Sequence, residues 1–394
     1  MIKTLGLEKK YIPTFVNSNS NSNSNSNNKN KIIDPEILQQ LIDSKNKINK
    51  DRYKKYWDKT KKFSNIYELV YIPNKNNRKH SISYYKPLSR SYFKLCEIIT
   101  DFDLLSSKKN LNVLCLAEGP GGFMESVVNF RNNSNDNIYG ITLKSFNKDI
   151  PGWKKAKQFI TSNNIQITYG VDGTGNLYNI DNIKYLKSFI KGELDFITAD
   201  GGFDFSIDFN SQEELSYRII FSEIVSALYL LKKGGDFVCK LFDIHSLITV
   251  KFIFILTNHF DNVFITKPFT SRSANSEKYL VCKGFTGIDS NYIELLFLYI
   301  QNWDVMKNSL LSFIDVPEHF IRRLYIYNNI TTLHQIKNIN YTLDLIDNNI
   351  QNKKEIIEYQ TSKAIDWCNR YNVRINNKSK FMNLNVDKYI WNYQ

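Results

Sequence analysis

Residues 111–126 read Leu-Asn-Val-Leu-Cys-Leu-Ala-Glu-Gly-Pro-Gly-Gly-Phe-Met-Glu-Ser. An apolar run ends in a Gly/Pro turn, and a helical pattern follows. Glycines at such a turn let the backbone approach a ligand at the carboxyl edge of a sheet. The spacing is neither G-x-G-x-x-G nor G-x-x-x-x-G-K-[ST], which excludes the dinucleotide fingerprint and the P-loop. A plain tight turn between a strand and a helix fits the same residues. Outward from this stretch, short apolar runs recur at 138–143, 165–169, 194–199, 236–241, 262–266 and 278–285. Helical patterns alternate with most of them, at 89–100, 213–233 and 246–259. Strands alternating with helices predict an α/β fold around a mainly parallel sheet. Only a loop separates the last two runs, which predicts an antiparallel hairpin at the C-terminal end of a seven-stranded sheet.

The chain has 394 residues and a formal net charge of +13. That charge is uneven. Residues 1–100 hold 20 Lys and Arg against 8 Asp and Glu, a net +12, and the remainder is nearly neutral. Such an excess fits a polyanionic partner, nucleic acid or an acidic membrane surface. Four regions are expected: a disordered low-complexity tail (1–30), a basic helical region (31–85), an α/β domain (86–287) and a helical extension (288–394). The tail carries NSNSNSNSNSNNKN at 17–30, which cannot bury apolar area. In the basic region, Tyr53, Tyr56, Trp57 and Phe63 interleave with lysines. This suits RNA, with phosphates on Lys and bases on rings, and equally suits an amphipathic helix packed on the body. Helical patterns in the extension fall at 292–307, 313–328 and 353–371, with Asn-rich joints. Cys96, Cys115, Cys239, Cys282 and Cys368 form no C-x-x-C pair, so buried thiols in a reducing compartment are expected. No signal-peptide pattern or membrane-spanning window is evident, and the protein is read as soluble, intracellular and without a membrane partner.

Four charged residues stand in unusual places. Lys94 lies in a helical pattern among apolar neighbours. Asp200 follows the buried run 194–199, Lys240 closes the run 236–241, and Glu277 enters the last run. A lysine at a buried strand end needs a carboxylate partner. Each of the four could be an ion pair that staples the fold. Together they point to proton abstraction from a weakly acidic group, with a lysine kept neutral by its surroundings. No cluster of His, Cys and carboxylates has metal-ligand spacing, so no metal is expected.

Five stretches in one order carry a family resemblance: Ser-Arg-Ser-Tyr-Phe-Lys-Leu (89–95), Ala-Glu-Gly-Pro-Gly-Gly-Phe (117–123), Ala-Asp-Gly-Gly-Phe (199–203), Cys-Lys-Leu-Phe-Asp (239–243) and Ala-Asn-Ser-Glu-Lys-Tyr (274–279). Residues 86–287 thereby resemble the FtsJ-like (RrmJ-like) RNA ribose 2′-O-methyltransferases. The resemblance implies a class I, Rossmann-like methyltransferase fold. It also implies S-adenosylmethionine as cofactor, S-adenosylhomocysteine as product, and a Lys-Asp-Lys-Glu tetrad at Lys94, Asp200, Lys240 and Glu277. Cofactor contacts fall on Ser89, Ala117, Glu118, Gly119, Pro120, Gly121, Gly122, Phe123, Asp172, Gly173 and Asp200. Within the family, the Asp-Gly-Gly-Phe form and the stretch 267–285 are most similar to cap-specific mRNA (nucleoside-2′-O-)methyltransferases of eukaryotes and large DNA viruses. That likeness places RNA contacts at Asn210, Arg272, Ser273 and Asn275.

The resemblance implies in-line methyl transfer to a ribose 2′-oxygen, with Lys240 taking or steering the proton. The expected substrate is the 5′ end of capped mRNA. A ribosomal or other structured RNA is the alternative, and a non-catalytic RNA-binding subunit is the alternative outside enzymes. The termini are candidate docking segments for a capping enzyme or RNA polymerase. The compartment would be host cytoplasm or virion for a virus and nucleus for a cell. Two departures stand out: Cys115 occupies the usual acidic position of the first strand, and the second strand ends without a carboxylate. Tyr84 and Tyr85 are candidates to stack on a cap guanine or to pack in the core.

Overall fold

The computed structural model describes residues 4–7, 31–73, 80–106, 109–145, 147, 150–202, 210–306 and 312–384. Its strands are β1 (Thr4–Leu7), β2 (Asn112–Leu116), β3 (Asn137–Ile141), β4 (Gln166–Thr168), β5 (Leu194–Ala199), β6 (Leu231–Leu241), β7 (Phe260–Thr266) and β8 (Lys278–Phe285). Its helices are α1 (Pro35–Ile48), α2 (Asp51–Ser64), α3 (Ser91–Asp101), α4 (Gly122–Arg131), α5 (Lys157–Ser162), α6 (Ile180–Phe189), α7 (Gln212–Leu230), α8 (Leu247–His259), α9 (Ser290–Gln301), α10 (Trp303–Met306), α11 (Glu318–Asp347) and α12 (Lys353–Arg370).

One sheet runs in the order β1-β7-β8-β6-β5-β2-β3-β4. Neighbours from β4 to β6 are parallel, β8 lies antiparallel between β6 and β7, and β1 pairs antiparallel with β7. Helices cover both faces, so the central parallel strands β2, β3 and β5 are buried over most of their length. In β2 the side chains alternate between the two layers: Val113 and Cys115 join α3 and α4, while Leu114 and Leu116 join α6 and α7.

The sheet has eight strands, not seven. The additional one, β1, lies inside the stretch expected to be a disordered tail. It sits on the β7 edge, where Thr4 Oγ1 donates to Thr266 Oγ1 at 3.2 Å. The Asn/Ser tract lies outside the described residues. The basic stretch forms two helices, with Asp34 capping α1 through the Glu36 and Ile37 amides. Both pack on α11: Leu41, Ile48 and Trp57 form one apolar cluster with Ile336, Ile339 and Leu343. Helix α11 runs through the Asn-rich stretch where a joint was expected. Its buried Asn328 donates to the carbonyls of Ile32 and Ile244 at 2.7 and 2.6 Å, so the amide ties elements together. A second cluster, including Val70, Tyr92, Phe93 and Trp367, fixes α12 to α3 and to the segment before it.

Candidate active site

The β2–α4 turn is shaped by steric need. Gly121 has φ +105°, and a Cβ on Gly119 would collide with the Pro151 carbonyl oxygen. A Cβ on Gly122 would meet the hydroxyls of Ser89 and Ser91, so Ser89 stands at the turn as expected. Glu118 is buried, accepting from the Met124 amide at 3.1 Å and from the Thr198 hydroxyl. Burial, helped by Asp200, raises its carboxyl to about 8 against the pull of Thr198. Phe123 is fully buried against the Tyr279 ring, a core role rather than an open cofactor contact. The Asp172 carboxylate accepts from the Asn179 side chain, the Thr174 hydroxyl and amide and the Asn182 side chain, and these bonds hold it far below the usual range. It organises the Gly170–Gly175 turn, with Gly173 left-handed at φ +73°.

Strand register assembles the four charges. Ala199 pairs with Cys239, which sets Asp200 beside Lys240 at the carboxyl end of β5 and β6. Lys240 pairs with Tyr279 of the antiparallel β8, which brings Glu277 to the same end. Lys240 Nζ donates to the Asp200 carbonyl at 2.7 Å and lies 3.2 Å from Oδ1 of its carboxylate. Lys94 of α3 donates to Glu277 Oε2 at 2.7 Å. The Tyr279 hydroxyl donates to Asp200 Oδ1 at 3.4 Å. Burial would raise Glu277, but Lys94, Lys240 and Lys267 outweigh it and hold the carboxyl at about 2.

The surroundings of Lys240 do not favour the neutral form that was expected. Burial alone would lower Lys240, but Asp200, Glu277 and Glu223 prevail and raise it above the ordinary lysine value. The excess of carboxylates decides the charge. One of them, Glu223 of α7, was not anticipated. It is fully buried, accepts from the Gly201 amide at 3.0 Å, and is pushed by burial to about 8. Its signal was a lone acid in the apolar run Ile219–Leu230.

The expected RNA contacts separate. Arg272, Ser273 and Asn275 line a cavity of about 140 Å³ closed on the far side by Lys45, Ile48, Trp57, Lys61 and Ile339. Asn210 instead donates to Asn46 of α1 at 3.0 Å. Arg272 is not idle: its Nε and Nη2 reach both oxygens of Glu68 at 3.1 and 2.9 Å. Glu68 also takes the Arg90 guanidinium at 3.5 Å and the Asn65 amide at 2.6 Å. One buried carboxylate therefore ties the approach to α3 to the loop before β8. Tyr84 is exposed with Arg374 over its ring, while the Tyr85 hydroxyl donates to Glu125 at 2.7 Å. All five cysteines are buried and free. Among the described residues there is no group of three or more His, Cys, Asp or Glu able to hold a metal, and no helix long and apolar enough to cross a membrane.

A glycine turn after a central strand, at the edge where this tetrad gathers, defines a methyltransferase of the Rossmann-like class. The sequence profile of the FtsJ-like methyltransferases matches residues 87–285, and the chain belongs to that family. It is similar to cap-specific mRNA (nucleoside-2′-O-)-methyltransferase 1 of Trypanosoma cruzi, 44% identical over 129 residues, 32% of this chain and 36% of the relative. The protein of the same name from Mus musculus is 36% identical over 198 residues, 47% of this chain and 23% of the relative. That of Trypanosoma brucei brucei is 36% identical over 178 residues, 45% of this chain and 47% of the relative. The chain thus matches less than half the length of these relatives. A solved structure described as a putative ribosomal RNA methyltransferase from Plasmodium falciparum aligns with 51% of this chain and 99% of its own, at 24% identity and a TM-score of 0.38.

Proposed function

We propose that the chain transfers a methyl group from S-adenosylmethionine to the ribose 2′-oxygen of RNA at the 5′ end of capped mRNA. The tetrad carries this reading: two lysines and two acids from four elements, joined as Lys94–Glu277 and Lys240–Asp200 at the edge of the glycine turn. The names of the relatives supply the cap.

The residues fit the cofactor. The glycines of the 119–122 turn are required by close packing on the Pro151 carbonyl and the Ser89 and Ser91 hydroxyls, which holds the turn at the carboxyl edge of the sheet, and Asp200 offers a carboxylate to a cation at that edge. Bound there, S-adenosylmethionine supplies an electrophilic methyl group on a good leaving group. The chain's own work is then chiefly positioning. Lys240, whose charged form its acid neighbours favour, orients the 2′-oxygen and stabilises the charge that develops as its proton leaves. For Lys240 to accept that proton it must first lose one. Because Asp200 is the largest of the charges that favour its proton, any screening of that carboxylate would lower the Lys240 pKa. Lys94 holds Glu277, and Glu277 holds the charge balance of Lys240. The exposed Lys47, Lys50, Arg52, Lys54, Lys55, Lys59 and Lys62 of the N-terminal helices, with exposed Tyr56, form the surface that meets the RNA backbone.

The test is methylation of a short RNA with and without a cap, followed by nuclease mapping of the modified nucleotide. Transfer to a ribose of the capped RNA is expected, lowered at least about 100-fold by Lys240→Ala with cofactor binding retained. Equal transfer to capped and uncapped RNA would refute the cap, and a fully active Lys240→Ala would refute the mechanism.

A further inference from the structure

Lys267 follows β7 and takes no part in the tetrad. It is 9% exposed and sits inside the loop that leads to β8. Its Nζ lies 2.9 Å from the Asn275 carbonyl, 2.8 Å from Asn275 Oδ1 and 2.8 Å from the Glu277 carbonyl, with Ser271 Oγ at 3.4 Å. Three of these partners are carbonyl oxygens, which only accept. Three acceptors need three N–H donors. An ammonium has three and a neutral amine has two. The observed loop is therefore the form that goes with charged Lys267.

The surroundings oppose that charge. Burial and then Lys278 of β8 disfavour it, as does Lys94 of α3, while Glu277 and Asp243 favour it, and the balance lowers the amine to about 7. His334 of α11 also feels this charge. The loop so held presents Arg272, Ser273 and Asn275 to the cavity and ends at Glu277.

We propose that Lys267 is a positioning residue whose ammonium holds the 271–277 loop in the form that receives RNA, so that RNA affinity falls as this proton is lost. The inference rests on the proposed RNA substrate. The sign follows from the geometry. The depressed group is charged at pH 6 and loses its proton as pH rises through about 7. One buried acceptor in the loop then goes unpaired. By linkage, RNA binding takes up a proton in the same range.

The experiment measures RNA Kd by fluorescence anisotropy, RNA KM by initial rates and cofactor Kd by calorimetry. It uses the full chain, a short capped RNA and pH 6 to 8.5. In the wild type, RNA KM and Kd should rise about tenfold across this range, the scale of one hydrogen bond, with cofactor Kd nearly constant. Lys267→Met should show the weakened RNA affinity already at pH 6 and a flat profile, with cofactor Kd within twofold of wild type. A pH-independent wild-type affinity, or a Lys267→Met that keeps the wild-type profile, overturns the proposal. If Lys267→Met does not fold, Lys267→Arg, which stays charged across the range, should keep the pH 6 affinity and flatten the profile, and an Arg variant that retains the wild-type pH dependence overturns the proposal. RNA binding with the expected profile but no methylation would refute the proposed reaction and leave the Lys267 inference standing. Absence of RNA binding at every pH refutes both.

Discussion

Glu68→Gln isolates a charge that lies before the family domain yet holds its parts together. Glu68 is 1% exposed and faces two guanidiniums, Arg272 by two hydrogen bonds and Arg90 at 3.5 Å. Glutamine keeps the volume and one acceptor oxygen, but it removes the nearest counter-charge of two cations, leaving Glu277 to both and Asp58 to Arg272. Breaking a buried pair from one side costs about 3–5 kcal/mol, and the retained acceptor sets the expectation near the lower bound, about 3 kcal/mol. At roughly 2 °C per kcal/mol for a chain of this size, the melting temperature at pH 7 should fall by about 6 °C. The pH dependence gives an independent check. Burial would raise Glu68, but Arg90 and Arg272 prevail and hold it below the ordinary glutamate value. A depressed carboxyl contributes stability that is complete above about pH 4.5 and lost as pH falls through its folded value. The gap between wild type and Glu68→Gln should therefore be full at pH 7 and shrink below about pH 4.5. Calorimetric melts from pH 3 to pH 7 read both quantities. Equal melting temperatures at pH 7, or a gap that stays constant into acid, would show that Glu68 does not carry the bracket.

Gly119→Ala drives a Cβ into the Pro151 carbonyl, so cofactor binding by calorimetry should be lost, whereas Lys240→Ala keeps it. Leu41→Ala should lower stability by about 2–5 kcal/mol in denaturant melts, because Leu41 is 2% exposed in the cluster shared with α11. An unchanged midpoint would mean that α1 is a tether and not part of the fold.

The parts of the structure legible in sequence were those with a local signature. Strands β2, β5 and β8 fall at the expected positions because apolar runs are bounded by the turn at 117–122, by Asp200 and by Glu277. That Lys240 would need an acid partner was legible because a buried lysine at a strand end is expensive without one, whereas the four residues as a set came from the family resemblance. The charge state of Lys240 was not legible, since it depends on three carboxylates, Asp200, Glu277 and Glu223, from three separate parts of the fold, and Glu223 belongs to none of the motifs. Strand β1 was also hidden. Four residues, Thr-Leu-Gly-Leu, carry no alternation long enough to distinguish a strand from a tail, and only the open edge of β7 gives them a partner. Arg272 reads in sequence as an open cation. Its partner Glu68 lies 204 residues away, so no spacing rule could join them.

The net +12 of the first hundred residues looked separable from the enzyme, and the packing argues otherwise. A helix has two faces. In α2, Trp57, Thr60 and Ser64 are buried, with the Ser64 hydroxyl 2.6 Å from Thr342 of α11, while Arg52, Lys54, Lys55, Lys59 and Lys62 are exposed. The packed aromatic and the solvated basic face were rival interpretations of the same residues, and both hold at once. The buried face also closes the cavity opposite Arg272, Ser273 and Asn275. Removing the arm would consequently strip the wall of the cavity and the cover of α11 together with the charge. Loss of RNA binding after such a truncation could not be assigned to electrostatics. Replacing the exposed lysines alone leaves Trp57 and Ser64 in place, so a weakened salt dependence of RNA binding would then report the charge itself.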